Sequence, residues 1–505
     1  MSDRIRHPGL LARRVPAAEA AALIAPGDTV AMSGFTGAGY PKAVPLALAR
    51  RMEQALAEGN PFRVRVLTGA STAPELDGAL AKVHGIELRL PYQSDPTVRS
   101  RINAGEIEYI DIHLSHVAQH TWFGFFGDVD VALVEVAGIR EDGSLIPSSS
   151  VGNNKTWLER ADKVILEVNR WQPEALEGMH DIYYGTALPP NRRPIPLLKP
   201  DDRIGDPYLR VDLDKVIAVV ETDAPDRNTP FTAPDAVSQK IAGHLLEFLS
   251  HEIKRGRLTD RLLPLQSGVG NIANAVLAGL AGGGFHGLTA FTEVIQDGML
   301  ALIKAGVLRM ASATSFSLSP AGIEEFIGNV DFYRERIVLR PQEISNHPEL
   351  IRRLGCISMN GMIEADIYGN VNSTHIAGSA IMNGIGGSGD FARNGYLSVF
   401  MAPSVAKDGA ISAIVPMVSH VDHTEHDTMV LVTEQGLADL RGLSPKQRAQ
   451  QVIDHCAHPD YRAALQDYFD RACRDSYGKQ TPHLLGEALS WHERFVRTGS
   501  MRTEL

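Results

Sequence analysis

The sequence predicts an α/β fold: open α/β/α domains with mostly parallel sheets. Short β-branched runs alternate with Ala- and Leu-rich stretches of helical period. The alternation breaks at one proline-rich segment and then restarts. At 505 residues the chain exceeds what one hydrophobic core accommodates, so two domains are expected.

The strands read in order. "DTVAMSGF" (28–35), "RVRVLTG" (63–69), "VDVALVEVAGI" (129–139), "KVILEVN" (163–169) and "KVIAVVET" (215–222) are short, apolar and β-branched, as buried parallel strands are. "PKAVPLALARRMEQALAEG" (41–59) carries apolar residues at helical spacing. The prolines of "LPPNRRPIPLLKPDDRIGD" (188–206) forbid regular structure and predict a long connection or hinge. The two halves also resemble each other: "AMSGFTGAGYPKAV" and "PLQSGVGNIANAV" both read strand, glycine-rich loop, helix. "VEVAGIREDGSLIPSSSVGN" and "IEADIYGNVNSTHIAGSA" share a strand, a turn at Gly143 or Gly369, and a Ser-rich loop. The expected boundary lies near residue 225, giving domains 1–225 and 226–505.

Composition narrows the function. A formal charge of −11 repels polyanions, so no nucleic-acid partner is expected and any acidic ligand must be met by local groups. Cys356, Cys456 and Cys473 lie far apart without CxxC spacing, which predicts neither disulfides nor a thiolate metal site and fits a cytoplasmic protein. The arginine-bearing N-terminal stretch lacks a signal-peptide core and runs into a helical pattern. No run of about 18 apolar residues occurs, so no membrane span is expected.

Several stretches carry chemistry. In "GLTAFTEVIQDG", Glu293 closes an apolar strand, where a carboxylate is partly hydrated and aimed at a ligand; an acid opening the following helix is the plain alternative. "QSGVGN" (266–271) joins a strand to the helix "IANAVLAGLAGG", so its amides can face an anion or a polarised carbonyl. In "NGIGGSGDFARNGY" four glycines fall between Gly384 and Gly389, permitting close approach of backbone to a ligand; flexible loops would look similar. Neither loop is a Walker A or GxGxxG motif. His420, His423 and His426 recur every third residue among acids, open to a metal or to an ordinary loop, but not at HExxH spacing. Glu434 repeats the placement of Glu293, with a structural ion pair as its alternative. No GxSxG elbow or cysteine nucleophile signature is present, which leaves a carboxylate as the best nucleophile. With a reference pKa of about 4.3, glutamate needs no general base to attack a thioester.

"FTEVIQDG", "QSGVGNIANAV", "NGIGGSGDFARNGYLSVF" and "VTEQGLADLRGLSPKQRA" together resemble the acetyl-CoA hydrolase/transferase family across nearly the whole chain, most closely its succinyl-CoA:acetate CoA-transferases of acetic acid bacteria. The resemblance implies CoA-transferase-type domains, a homodimer, no metal, no tightly bound cofactor, and coenzyme A and small carboxylates as substrates. It maps the catalytic glutamate onto Glu293 and the oxyanion donors onto the amides of Val269 and Gly387. Gln266, Ser267, Gly268, Gly270, Asn271, Asn383 and Lys407 are similar to CoA contacts of the family. Ser71, Arg227, Asn346 and Glu434 match its carboxylate-site or supporting positions, with an Arg227–Glu434 ion pair expected over direct contact of Arg227 with the acid. An acyl-CoA hydrolase using the same glutamate, and a non-catalytic acyl-CoA sensor, are the alternatives.

Overall fold

The structure, a computed structural model, describes residues 4–228 and 232–502. The chain forms two compact units: Met1–Phe231 with Ala290–Ile303 and Arg309–Leu354, and Thr232–Thr289 with Lys304–Leu308 and Gly355–Leu505. After first leaving unit 1, the chain returns to it at Ala290 and again at Arg309.

Unit 1 is built on β1 (Thr29–Met32), β2 (Val64–Leu67), β3 (Ile86–Leu90), β4 (Glu108–Tyr109), β5 (Val129–Ile139), β6 (Leu145–Pro147), β7 (Ala161–Asn169) and β8 (Val216–Thr222). Their order is β4-β3-β2-β1-β5-β7-β8, parallel throughout, with β6 antiparallel on β5. Every strand read from the sequence is present. The helix Ala43–Ala57 follows β1 and sets Val44, Leu48 and Met52 against Val30, Met32, Val64 and Val66. Glu167 on β7 caps that helix: its carboxylate accepts the amides of Lys42, Ala43 and Val44 at 2.6, 2.9 and 3.0 Å, the donors a first turn leaves unpaired.

The returning segments are stitched into unit 1 by backbone and by charge. Val151 N donates to Thr314 O at 2.8 Å, Phe316 N to Ser149 O at 3.1 Å and Asp181 N to Leu339 O at 2.9 Å. Arg340, fully buried, pairs with Asp181 and donates to Ser312 Oγ at 2.7 Å and Pro200 O at 2.9 Å. Arg353 donates to Ile195 O at 2.8 Å and Leu197 O at 2.9 Å. The proline-rich segment 188–206 is therefore a long connection inside unit 1. The hinge expected there is corrected: two arginines satisfy its backbone carbonyls and pin it.

In unit 2 the strands Leu265–Ser267, Ile357–Gly361, Leu397–Met401 and Val430–Thr433 run parallel side by side, with Gly436–Asp439 antiparallel on the last. The helices Pro445–Cys456 and Pro459–Asp475 cover them, burying Val452, Ile453 and Leu465 against Phe400 and Leu431. Gln266 locks two of these strands. Its buried amide donates to Asn360 Oδ1 at 3.0 Å and accepts from Met359 N at 3.0 Å and Asn360 Nδ2 at 3.2 Å. Each unit contains a strand, glycine-rich loop and helix in sequence (β1, Gly34–Gly39, Ala43–Ala57; Leu265–Ser267, Gly268–Gly270, Asn271–Gly282), in keeping with the internal similarity of the halves. No helix among the described residues is long and apolar enough to cross a membrane.

Two stability outcomes follow. Arg340→Met leaves Asp181 buried without its counter-charge and is expected to cost about 3–5 kcal/mol, part of which Asp181→Asn restores in the double variant; urea unfolding of the four species measures this. Gln266→Leu strands the Met359 amide and Asn360 Oδ1, while Asn360 Nδ2 keeps Ser358 Oγ at 2.8 Å, and is expected to cost about 2–3 kcal/mol, read as a lower urea midpoint with an unchanged slope.

Candidate active site

In parallel α/β sheets, loops and helix N-termini converge at the carboxyl ends of the strands. Glu293 lies just beyond the strand Leu288–Phe291, at a bend before the short strand Val294–Gln296. Its carbonyl accepts the amides of Thr314 (2.9 Å) and Ser315 (3.2 Å), which fixes the backbone at the bend. The side chain is half-buried, and Oε1 accepts from Asn346 Nδ2 at 3.2 Å. Asn346 is fully buried, and its Oδ1 accepts from Ser345 Oγ at 2.9 Å, which orients the amide NH2 toward Glu293. The short helix Gln342–Ser345 is itself held: Gln342 donates through N to Gly152 O and through Nε2 to Leu114 O, both at 2.9 Å.

Ser71 is buried on the loop after β2. Its neighbour Ala70 packs with Phe35, Leu114 and Val294, the residue after Glu293, so Ser71 and Glu293 flank one apolar cluster. A buried bidentate ion pair holds this loop. Arg89 Nε and Nη2 meet Asp77 Oδ1 and Oδ2 at 2.8 and 3.0 Å; Arg89 Nη2 also donates to Ala70 O, and Asp77 accepts Thr72 N.

Arg227 corrects an expectation. Its guanidinium, 61% exposed, pairs with Glu75 Oε1 at 2.9 Å, and Tyr40 OH donates to Glu75 Oε2 at 3.0 Å. The ion pair expected with Glu434 is thus replaced by one with Glu75. The residues flanking Arg227 clamp the glycine-rich loop after β1. Asp226 Oδ1 accepts Gly39 N (3.1 Å), Asn228 Oδ1 accepts Gly37 N (2.9 Å), and Arg227 N donates to Gly37 O (2.8 Å). A Cβ on Gly37 would sit 2.0 Å from Arg227 O, so only glycine permits this approach.

The carboxyl ends of the unit 2 strands carry the other expected residues. After Leu265–Ser267, Ser267 Oγ donates to Gly268 O (3.1 Å) and Gly268 N to Met359 O (3.0 Å); Gly270, at φ +116°, turns the chain into the helix that opens at Asn271. Val269 is 62% exposed, and its amide has no hydrogen-bond partner among the described residues. Gln266 contrasts with its loop, since all its amide bonds go to the neighbouring strand. Gly387 is the N-cap of the helix Ser388–Asn394, and Asn383, half-buried, begins that loop. Lys407 is exposed on the hairpin turn after Leu397–Met401, with Nζ 5.2 Å from the centre of the Phe495 ring. Glu434, after Val430–Thr433, accepts Ser404 N (2.7 Å), Gln435 Nε2 (2.8 Å) and the Ser404 hydroxyl. Burial opposes its charge, but these bonds outweigh burial and hold its pKa below the usual carboxylate range.

The histidine stretch builds the second loop. His423 is buried, exchanges backbone hydrogen bonds with Val371, stacks on Phe400 at 4.6 Å, and has Nε2 within 3.3 Å of Ser373 Oγ and 3.1 Å of Ser388 Oγ, the first residue after Gly387. His420 stacks on His375 at 3.8 Å, and His426 is exposed. No group of three or more His, Cys, Asp or Glu suited to a metal occurs among the described residues. Reading the sequence missed the support given by Gln342, the Arg89–Asp77 pair, Glu75 and His423. Only the spacing of the histidines gave any signal.

The acetyl-CoA hydrolase/transferase N-terminal domain model matches residues 11–225 and the C-terminal domain model residues 322–469. The chain is 53% identical over 499 residues to a succinyl-CoA:acetate CoA-transferase of Clostridium kluyveri, covering 99% of this chain and 92% of that protein. It is 46% identical to a propanoyl-CoA:succinate CoA transferase of Escherichia coli (97% and 98% covered) and 48% identical to an acetyl-CoA hydrolase of Schizosaccharomyces pombe (95% and 94%). In fold it resembles RipA from Yersinia pestis (TM-score 0.70, 22% identity, 91% and 97% covered) and a 4-hydroxybutyrate CoA-transferase from Porphyromonas gingivalis (TM-score 0.63, 22%, 91% and 98%). With two domain models matched in order and half of its residues shared with a relative along its whole length, the chain is an enzyme of the acetyl-CoA hydrolase/transferase family.

Proposed function

We propose that this enzyme transfers CoA from succinyl-CoA to acetate, giving acetyl-CoA and succinate, with Glu293 as the covalent nucleophile. The observation that carries the reading is the half-buried carboxylate at a strand's carboxyl end, its backbone fixed by Thr314 and Ser315 and one oxygen held by Asn346. A carboxylate so fixed loses little orientational freedom on meeting a thioester.

Glu293 attacks the acyl carbon, the C–S bond breaks, and CoA leaves as a thiolate with the acyl group on a mixed anhydride. The thiolate then attacks the glutamyl carbonyl, succinate departs, and a glutamyl-CoA thioester remains. Acetate reverses the two steps. Atoms and charge balance without a proton donor or redox partner, and the thioester's energy is kept. Each addition passes through an oxyanion, for which the amides of Val269 and Gly387 are the proposed donors; one such donor contributes about 3 kcal/mol to the barrier. Ser267, Gly268, Gly270, Asn271, Asn383 and Lys407 are the proposed CoA contacts, and Gln266 acts by holding their loop. Asn346 and Ser71 offset the like-charge repulsion between Glu293 and the incoming acid. Arg227 is the cation available to the second carboxylate of succinyl-CoA, exchanging it for Glu75, and Glu434 supports the turn at Ser404. We further infer domains 1–225 and 226–505, a homodimer and a cytoplasmic setting, the last supported by three free cysteines.

The S. pombe relative's name favours a second reading, hydrolysis, in which water takes the acceptor's place. Two experiments test these assignments. Mass spectrometry after exposure to acyl-CoA is expected to find the CoA adduct on Glu293, with borohydride inactivating only acyl-CoA-treated enzyme and Glu293→Ala abolishing transfer while retaining CoA binding; an adduct on another residue overturns the assignment. Steady-state assays of succinyl-, acetyl-, propionyl- and acetoacetyl-CoA, each with acetate or succinate, are expected to give ping-pong kinetics with succinyl-CoA and acetate preferred. CoA release independent of any acceptor establishes the hydrolase instead, and failure of any donor to turn over leaves an acyl-CoA sensor.

A further inference from the structure

Unit 1 contains a cavity of about 810 Å³ that none of the proposed site residues lines. Its walls are the helix Leu114–Trp122, the pinned segment around residues 186–195, and the chain from Glu343 to Arg353. Trp122, Leu188 and Ile195 give it apolar surface.

Its charges do not balance. Of the two lining acids, Glu343 is met by Lys155 Nζ at 2.9 Å, which also lies 3.5 Å from Glu159, and Glu349 by both arms of Arg353 at 2.8 and 2.7 Å. Among the described residues Arg192 has only neutral acceptors, Ala187 O at 3.1 Å and the Gln119 side chain. Arg193 has no hydrogen-bond or ion-pair partner among the described residues. Two adjacent guanidinium groups therefore stand without a carboxylate at a cavity of a chain whose formal charge is −11. Solvated surface arginines need no ligand, but they do not ordinarily border a cavity of ligand size with apolar walls.

We propose that this cavity binds a small organic anion, carboxylate- or phosphate-headed, with an apolar body. Arg192 and Arg193 take the charged head, and the planar guanidinium suits either oxyanion. The volume exceeds what a bare inorganic ion fills, so the body of the ligand lies against Trp122, Leu188 and Ile195. The chain that walls the cavity at Glu343 and His347 also carries Asn346, bonded to Glu293.

Isothermal titration of the full-length protein, with CoA present at saturation, tests this with adenosine 5′-monophosphate, phthalate and inorganic phosphate as probes. At least one organic probe is expected to bind in the sub-millimolar to low-millimolar range. The Arg192→Ala/Arg193→Ala double variant is expected to weaken it by roughly tenfold or more, while the Lys/Lys double variant retains an intermediate affinity. Both side chains are exposed, so the melting temperature of each variant should match the parent and certify the fold. Binding of the monophosphate alone identifies a phosphate head, and of phthalate alone a carboxylate. The proposal is overturned if no organic probe binds in the millimolar range under CoA saturation, if the alanine variant binds as the parent does, or if inorganic phosphate binds as tightly as either organic anion.

Discussion

The organisation around Glu293 depends on one buried ammonium. Lys42, 2% exposed, pairs with Glu135 at 2.6 Å and Asp226 at 3.0 Å, donates to Tyr40 O at 2.8 Å and lies 4.1 Å from the centre of the Tyr40 ring. Burial works against its charge, but the two carboxylates outweigh burial and keep it protonated. From this point constraint passes outward. Asp226, anchored by Lys42 and Gln172, receives Gly39 N; Asn228 receives Gly37 N; the loop so clamped presents Phe35 O to Ser315 Oγ at 2.9 Å, and Ser315 N holds the carbonyl of Glu293. The backbone of Glu293 is thereby tied to the middle of the first sheet through hydrogen bonds whose donors and acceptors are nearly all buried, where each is costly to break.

What the sequence made legible is what local chemistry encodes. Strand runs such as 129–139 appear at the same residues in the structure, because period and β-branching act within one segment. The strand-end position of Glu293 was legible for the same reason, since the apolar run before it is local. The glycine loops were legible by composition. Pairings chosen by the tertiary fold were not. Nothing local links Arg89 to Asp77, Gln342 to Leu114, or His423 to Ser388. Arg227 was expected to pair with Glu434 or to meet the acid, and it pairs instead with Glu75, which the turn after β2 brings within 2.9 Å. Proline content correctly excluded helix and strand from 188–206 but said nothing of Arg340 and Arg353, which make the segment firm.

Two kinds of glutamine and glutamate recur and do different things. Gln266, Glu167 and Glu434 spend their hydrogen bonds on backbone and neighbouring side chains, and so shape loops and helix starts. Glu293 is half-buried at a strand's end, with Asn346 Nδ2 donating to Oε1.

The discontinuous make-up of unit 1 bears on how the protein is made. A ribosome delivers the chain from its N-terminus, and β1 to β8 are complete by Thr222, yet the acceptors and counter-charges on Thr314, Leu339 and Arg340 emerge more than ninety residues later. Until Arg340 has been synthesised, the Asp181 carboxylate lacks this counter-charge, and until Thr314 and Leu339 have been, the amides of Val151 and Asp181 lack their acceptors. Synthesis thus passes through a long interval in which the first sheet exists and its edge chemistry is unfinished, and stalled or truncated chains ending in that interval are natural targets for chaperones and proteases.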